Sequence, residues 1–369
     1  MEKLISLIIY LSCFAISLII SFLYQRYCKR RSYNKIPISE KILWFLLIIA
    51  APVLISAIRY DVGTDYFAYV RIYENINHLD TSTVLRMYGE EPLYLLLNKL
   101  AFLIFKRPWG IFLLSSFLIH FFIIAGIDYF KEYVSIPMSL FVYYMFHFSF
   151  GLNGIRQMIA ISIIFFALRY IYQKKLLHYM LLVAIAAMFH NTAILCLVFY
   201  FLVNNRMKEL QLGKKIIYYC TIILTPIVLL FMIEIIRKIP FFSGYLHYVT
   251  NEIDYGLGFL LFIVPVIAPF FLFRKAMIIR NKDFEPFILI SLLNIPFQYA
   301  GYYVNWGSRL VLYTNSIYYI LVPYVISSLK NKHKKIVMIL YYLYFFLSYY
   351  VLQFVLKNHH EVFPYKIMF

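Results

Sequence analysis

Charge is scarce in this sequence, and negative charge is scarcest. Only 14% of the residues are charged, with 17 acidic side chains against 35 lysines and arginines. A soluble globular domain carries about 25% charged and about 45–50% apolar residues. The 63% hydrophobic content therefore excludes an ordinary water-soluble fold. The four cysteines (Cys13, Cys28, Cys196, Cys220) are scattered, mostly in apolar runs, which excludes a disulfide framework and zinc-type spacing. There is no P-loop, no GxGxxG fingerprint, no HExxH motif and no DxD pair for a nucleotide-bound metal. Asp61 and Asp65 lie four apart, which permits one helical face but is no metal signature. An enzyme of this composition acts on a substrate that arrives already activated and in the membrane.

What is present is a series of apolar runs of bilayer-crossing length, at 4–24, 42–58, 109–127, 134–150, 157–173, 216–236, 257–273, 285–304, 310–329 and 336–356. The first is too long for a signal-peptide core and lacks a small-residue cleavage site, so it reads as the first span. Two stretches are irregular. Residues 92–105 are short and contain Asn98 and Lys99, which predicts an in-plane or re-entrant helix, since a central lysine costs at least about 2.5–3.5 kcal/mol in lipid. Residues 176–203 are too long for one upright span and are interrupted by His190, Asn191 and Thr192, which fits a tilted helix or two half-helices. The expected fold is all-α: a single polytopic membrane domain over 1–369, with about 11–12 membrane-embedded helices and no soluble domain.

The net charge of +18 has a topological explanation. Basic clusters recur between apolar runs: Arg26, Lys29, Arg30, Arg31, Lys35 and Lys41; Arg169, Lys174 and Lys175; Arg206 to Lys215; Arg274 to Lys282; Lys330 to Lys335. The positive-inside rule makes these loops cytoplasmic, so nucleic acid is not needed to account for the charge. If 92–105 does not cross and 176–203 enters and returns, the pattern closes. Both termini, the loop 59–91 with its short interfacial helix, and 151–157 then fall outside. Asp61, Asp65, Glu74, Asp80, Glu90, Glu91, Glu252 and Asp254 all fall on that exterior side.

Four polar constellations stand out. RYDVGTDY at 59–66 follows the second span, where Thr64 can N-cap a short helix with Asp65 in its first turn. Tyr66, Tyr69 and Tyr73 recur at spacings of three and four, so one aromatic face is expected along the membrane interface. The simpler reading is an interfacial helix whose charges only solvate it. GIRQ at 154–157 opens an apolar span, and the helix dipole disfavours Arg156 there unless an anion is present. Such a helix start is a natural diphosphate seat, although the arginine can also simply snorkel to the interface. His190-Asn191-Thr192 either faces a cavity or hydrogen-bonds between helices. NWGSR at 305–309 repeats the pattern and makes Arg309 a second candidate anion ligand, while the tail at 362–366 is expected to cover the lipid surface.

The order of these pieces carries more than any one of them. RYDVGTDYFAYVRIYE after the second span is followed by EEPLYLLLNKL, by NGIRQMIAISIIFFALRYI with a later KK, by MFHNTAIL, by a late SRLVLY span and by a terminal FPYK. In this the chain resembles the EpsG/Wzy-like family of bacterial exopolysaccharide and O-antigen polymerases, over nearly its whole length. The resemblance implies a glycosyltransferase of the bacterial inner (plasma) membrane that needs no metal or cofactor. It would move a growing chain from undecaprenyl diphosphate onto a lipid-linked repeat unit at the extracytoplasmic face. The implied partners are undecaprenyl-diphosphate-linked oligosaccharides and the bilayer, with a chain-length regulator and a flippase as further candidates. On this reading Arg156 and Arg309, then Arg59, hold the diphosphate, with Gln157 and Tyr66 beside the diphosphate or sugar. Asp65 is the first choice of proton acceptor, with Glu91 and His190 behind it. A rival class, a lipid-linked oligosaccharide flippase, predicts repeat symmetry and polar linings in both membrane halves; no clear internal repeat is found.

Overall fold

A computed structural model describes residues 2–31, 36–203, 258–300 and 305–368. The expected span 216–236, the basic cluster within 206–215, and Cys220, Glu252 and Asp254 lie outside the described residues. The chain opens with two long helices, α1 (Glu2–Arg31) and α2 (Ile38–Ala57). Short helices α3 (Tyr66–His78), α4 (Thr81–Tyr88) and α5 (Pro92–Phe105) follow, then α6 (Trp109–Tyr129), α7 (Ile136–Asn153) and α8 (Ile155–Tyr172). Next come α9 (Leu176–Ala187), a 3-10 segment (Asn191–Cys196) and α10 (Leu197–Val203). The later part holds α11 (Phe259–Leu272), α12 (Arg274–Arg280), α13 (Glu285–Leu292), α14 (Asn294–Ala300), α15 (Asn305–Asn315), α16 (Tyr318–Ser328), α17 (Asn331–Phe345) and a π-helix (Phe346–Leu356). Among the described residues there is no strand, only one isolated bridge between Arg59 and Ile367.

Among the described residues six helices are long and apolar enough to cross a bilayer: α1, α2, α6, α8, the stretch Arg309–Ser328 and the stretch His333–Leu356. A seventh appears if α11 and α12, bent by 57°, are counted as one span. This is an all-α polytopic membrane protein. Burial sorts the spans: the α8 window is 72% buried and Arg309–Ser328 89%, against 33% for α1 and 28% for α2. The inner spans meet protein on all sides, while the outer ones show Leu4, Ile8, Leu43 and Leu46 outward, as lipid requires. α7 is an inner helix with buried polar side chains. Its Tyr144 hydroxyl lies 2.5 Å from that of Ser17, and its His147 pairs with Tyr319.

The bundle has two ends, each fixed by bonds between its loops. At one end Asp128 joins Tyr24, Lys41 and Lys131, Gln25 bonds the 134–136 turn, and Asn281 bonds Tyr172. These are the loops whose lysines and arginines pointed to the cytoplasm. At the other end the 58–66 loop, the α7–α8 turn, the α9 tip and the C-terminal tail come together. α5 starts at this second end and is about 21 Å long at 1.5 Å per residue, short of a hydrocarbon core of about 30 Å. It packs back against α3 and α6. Residues 176–203 form two half-helices rather than one tilted span: the Tyr179 hydroxyl of α9 donates to Cys196 O at 2.7 Å, and the Tyr179 and Tyr200 rings are 5.7 Å apart.

Three local expectations change. Tyr66, Tyr69 and Tyr73 are nearly fully buried rather than laid along the membrane interface, because α5 and α6 cover α3 with Phe112, Tyr94 and Phe102. The α3 helix begins at Tyr66, so Asp65 rather than Thr64 occupies the cap position, and its side chain makes no capping bond. The tail is not a lipid cover. It lies as a strap along 58–64, with Tyr60 N–H donating to Lys366 O, Gly63 N–H to Glu361 O, Thr64 N–H to His360 O and Met368 N–H to Ile58 O, all at 3.0 Å. Val362, Phe363 and Tyr365 are buried beneath it. Gly63 sits at φ +98°, a conformation open to glycine, and a Cβ there would come within 3.0 Å of Leu152 O.

Candidate functional site

The site begins at Gly154, the single-residue break between α7 and α8. A Cβ at this position would meet the outer edge of the Phe150 ring at 2.4 Å, so a larger residue would have to turn that ring aside. The reversal puts Arg156 in the first turn of α8. Glu91 arrives from the other side at the start of α5, where Pro92 opens the helix and needs no N–H partner. The Leu93 N–H donates to Met188 O at 3.1 Å, which ties this start to the tip of the α9 half-helix and so brings His190 alongside.

Arg156 Nη1 donates to Glu91 Oε2 at 2.6 Å, and His190 Nδ1 donates to Glu91 Oε1 at 2.8 Å. The anion that a helix-opening arginine calls for is therefore supplied by the chain's own Glu91. Burial pushes the Glu91 carboxyl up, but the His190 hydrogen bond and the Arg156 charge outweigh it and hold the group below the ordinary carboxylate value. A carboxylate only accepts, so Nδ1 carries the hydrogen and Nε2 is the acceptor in the neutral ring. His190 Nε2 and Arg156 Nε have no hydrogen-bond partner among the described residues.

Two cavities open on this cluster. The larger, about 520 Å³, is lined among others by Asp65, Tyr69, Arg156, Gln157, His190 and Arg309. The smaller, about 350 Å³, takes in Glu90, Glu91, Arg156, His190, Asn191 and Arg309. Arg156, His190 and Arg309 line both. Gln157 Nε2 donates to the Arg309 backbone carbonyl at 3.0 Å, which fixes α15 against α8. Arg309 is the fifth residue of α15 rather than its first, so it lies beyond the N-terminal turn where the dipole acts most strongly.

Not every expected residue is here. Arg59 is 1% exposed and lines neither cavity. Its guanidinium donates to Ser56 O at 2.6 Å and Leu152 O at 3.0 Å and lies 4.4 Å from the Phe112 ring centre. Burial lowers its pKa to about 10, so it stays charged at neutral pH while holding α2 to α7. Tyr66 stacks on Phe112 at 4.9 Å and also stands away from both cavities. Asp65 is exposed on the wall of the larger cavity, and its backbone N–H donates to Asn153 Oδ1 at 2.8 Å.

Sequence reasoning missed Asn153, Asn294, Asn315, Gln353, His359 and His360, all on the larger cavity. Asn294 Nδ2 bonds Asn315 Oδ1. Two signals were available: asparagines inside apolar runs, and a His-His pair in a tail that otherwise looks like a surface segment.

A family model, described as the EpsG family, matches residues 42–367 of the chain. No curated protein and no solved structure matches it. The matched range takes in Asp65, Glu91, Arg156, His190, Arg309 and His360.

Proposed function

We propose that this chain, which belongs to the EpsG family, joins sugar repeat units carried on undecaprenyl diphosphate, by metal-independent glycosyl transfer at the extracytoplasmic face of the bacterial inner membrane. The family membership gives the coarse role, polysaccharide polymerisation in a membrane. The finer reading rests on one observation: two cavities converge on Arg156, His190 and Arg309. A polymerase must hold two large substrates with their reacting atoms adjacent, and two volumes sharing one set of side chains suit that need.

The chemistry asks little beyond positioning. An acceptor hydroxyl oxygen bonds to the donor's anomeric carbon as that carbon's bond to the diphosphate oxygen breaks. The diphosphate leaves with the electron pair, and Arg156 and Arg309 stabilise its developing charge. The hydroxyl proton passes to a base. His190 is the first choice of acceptor, because Glu91 fixes its tautomer and its buried Nε2 has no hydrogen-bond partner among the described residues; Asp65, on the larger cavity alone, is the second. The positive-inside rule supports this sidedness: Lys41, Lys131, Lys175, Arg274 and Lys330 stand in or beside the turns at the opposite end of the bundle, which the rule assigns to the cytoplasm. A reporter fused after residue 30 should therefore read as cytoplasmic.

Deleting the gene and sizing the surface glycan tests the proposal. Lipid-linked single repeats outside the cell are expected. Complete loss of exported glycan would point to a flippase, and full-length glycan would remove the chain from the pathway; either overturns the reading.

A further inference from the structure

The larger cavity has two unlike walls. One carries Arg156 and Arg309. The other is built by the C-terminal strap and the π-helix, which contribute Tyr349, Gln353, His359 and His360. A recess of about 50 Å³ shares Phe146, Tyr349, Gln353, His359 and His360 with this second wall and reaches neither arginine. The strap holds the wall by backbone bonds: His360 O accepts from Thr64 N–H, next to Asp65. The His360 ring packs edge-on to Phe150, with centroids 5.7 Å apart. The Phe146 and Tyr349 rings lie 4.3 Å apart. A π-helix is an uncommon element that recurs at functional sites, and here it supplies two of the lining side chains.

Gln353 and His360 give this wall two neutral polar side chains. Burial and the neighbouring His359 pull the His360 imidazole down to about 4, so it is uncharged at neutral pH. The side chains of Gln353 and His360 make no hydrogen bond to another described residue. Uncharged donors and acceptors beside aromatic rings match a sugar, whose hydroxyls hydrogen-bond and whose C–H faces pack on rings. A diphosphate would instead seek the guanidinium wall.

We propose that the second wall is a saccharide subsite, in which Gln353 and His360 hydrogen-bond the hydroxyls of a neutral sugar ring and the mutually packed Phe146 and Tyr349 rings border its apolar side. The strap is then a specificity-determining part of the site. This rests on the polymerase reading and deepens it, dividing one cavity into an anion half and a sugar half.

Two probes separate the halves: oligosaccharide released by mild acid from the lipid-linked repeats of deletion cells, and sugar-free undecaprenyl diphosphate. Binding of each is measured on purified full-length protein in lipid nanodiscs. His360→Ala and Gln353→Ala should each weaken oligosaccharide binding about five- to tenfold, the worth of one hydrogen bond, and leave diphosphate binding unchanged. Arg156→Lys should do the reverse, and His360→Gln, which keeps a donor and an acceptor, should recover part of the sugar affinity. Unchanged oligosaccharide affinity in both alanine variants overturns the subsite and leaves the polymerase reading standing. Equal loss of both probes in both variants overturns it too, since the walls would then not act separately. A wild-type protein that binds neither probe tells against the polymerase reading itself, and the subsite falls with it.

Discussion

At each end of the bundle one carboxylate is gripped by two basic side chains, yet the two clusters are unlike in what surrounds them. Asp128 accepts from the Tyr24 hydroxyl at 2.7 Å and from Lys131 at 3.0 Å, with Lys41 at 3.5 Å. Both Asp128 and Lys131 are 8% exposed, and the cluster lines neither cavity. It ties α1, the start of α2 and the end of α6 together, and its acceptor sites are filled from within. Glu91 has similar partners, but Arg156 is 36% exposed and both Arg156 and His190 open onto cavities. A guanidinium has five donors, and Glu91 takes only one from Arg156. The same arrangement of charge is a clamp when enclosed and a ligand site when one side faces open volume.

Variants can break this contrast, and the largest effect is expected at His190. His190→Ala should lower polymerisation per molecule by about 10²–10⁴-fold, the usual cost of losing a general base, with membrane level preserved. Asp65→Asn should cost less than about tenfold if His190 is the acceptor; a larger loss at Asp65 than at His190 would exchange their roles. Arg156→Lys should cost on the order of 10²-fold, because a point charge does not replace a bidentate fork. Asp128→Asn should behave in the opposite way. Removing one partner of a buried ion pair costs about 3–5 kcal/mol, so the melting temperature and membrane level should fall while the rate per molecule stays put.

The smallest effect is a pH dependence of stability. Because the folded Glu91 pKa lies below its unfolded value, its stabilising contribution is present above the ordinary carboxylate range and is lost as pH falls through the lowered folded value. Melting curves of the purified protein from about pH 6 to about pH 3 should show this loss, and Glu91→Gln should flatten it.

Much of this was legible in the sequence, for identifiable reasons. Hydropathy carries the six long apolar helices and lysine placement the gathering of the basic turns at one end, because bilayer thickness and charge cost act on composition directly. The expected run 285–304, by contrast, holds two short helices, Glu285–Leu292 and Asn294–Ala300. Arg156 stood out because a cation opening a helix is locally unfavourable. The strap was not legible. Its four backbone bonds pair 58–64 with 360–368 across some three hundred residues, and nothing local to VFPYK records that partner. Arg59 shows the same limit. The sequence reads it as a diphosphate ligand, whereas the structure supplies two carbonyls and a ring to bury it. The burial of Tyr66, Tyr69 and Tyr73 likewise depends on α5 folding back over α3, which periodicity cannot see.

The most direct test of the cavity as a transfer site is product size in a reconstituted system. Purified protein in liposomes is supplied with lipid-linked single repeats extracted from deletion cells, and the glycan formed is sized. The wild type should build a ladder of long chains, and Asp128→Asn should build the same ladder once corrected for the amount of folded protein. Arg156→Lys should leave almost only single repeats. A full ladder from Arg156→Lys, together with none from Asp128→Asn, would contradict the account, since the working cluster would then lie at the opposite end of the bundle.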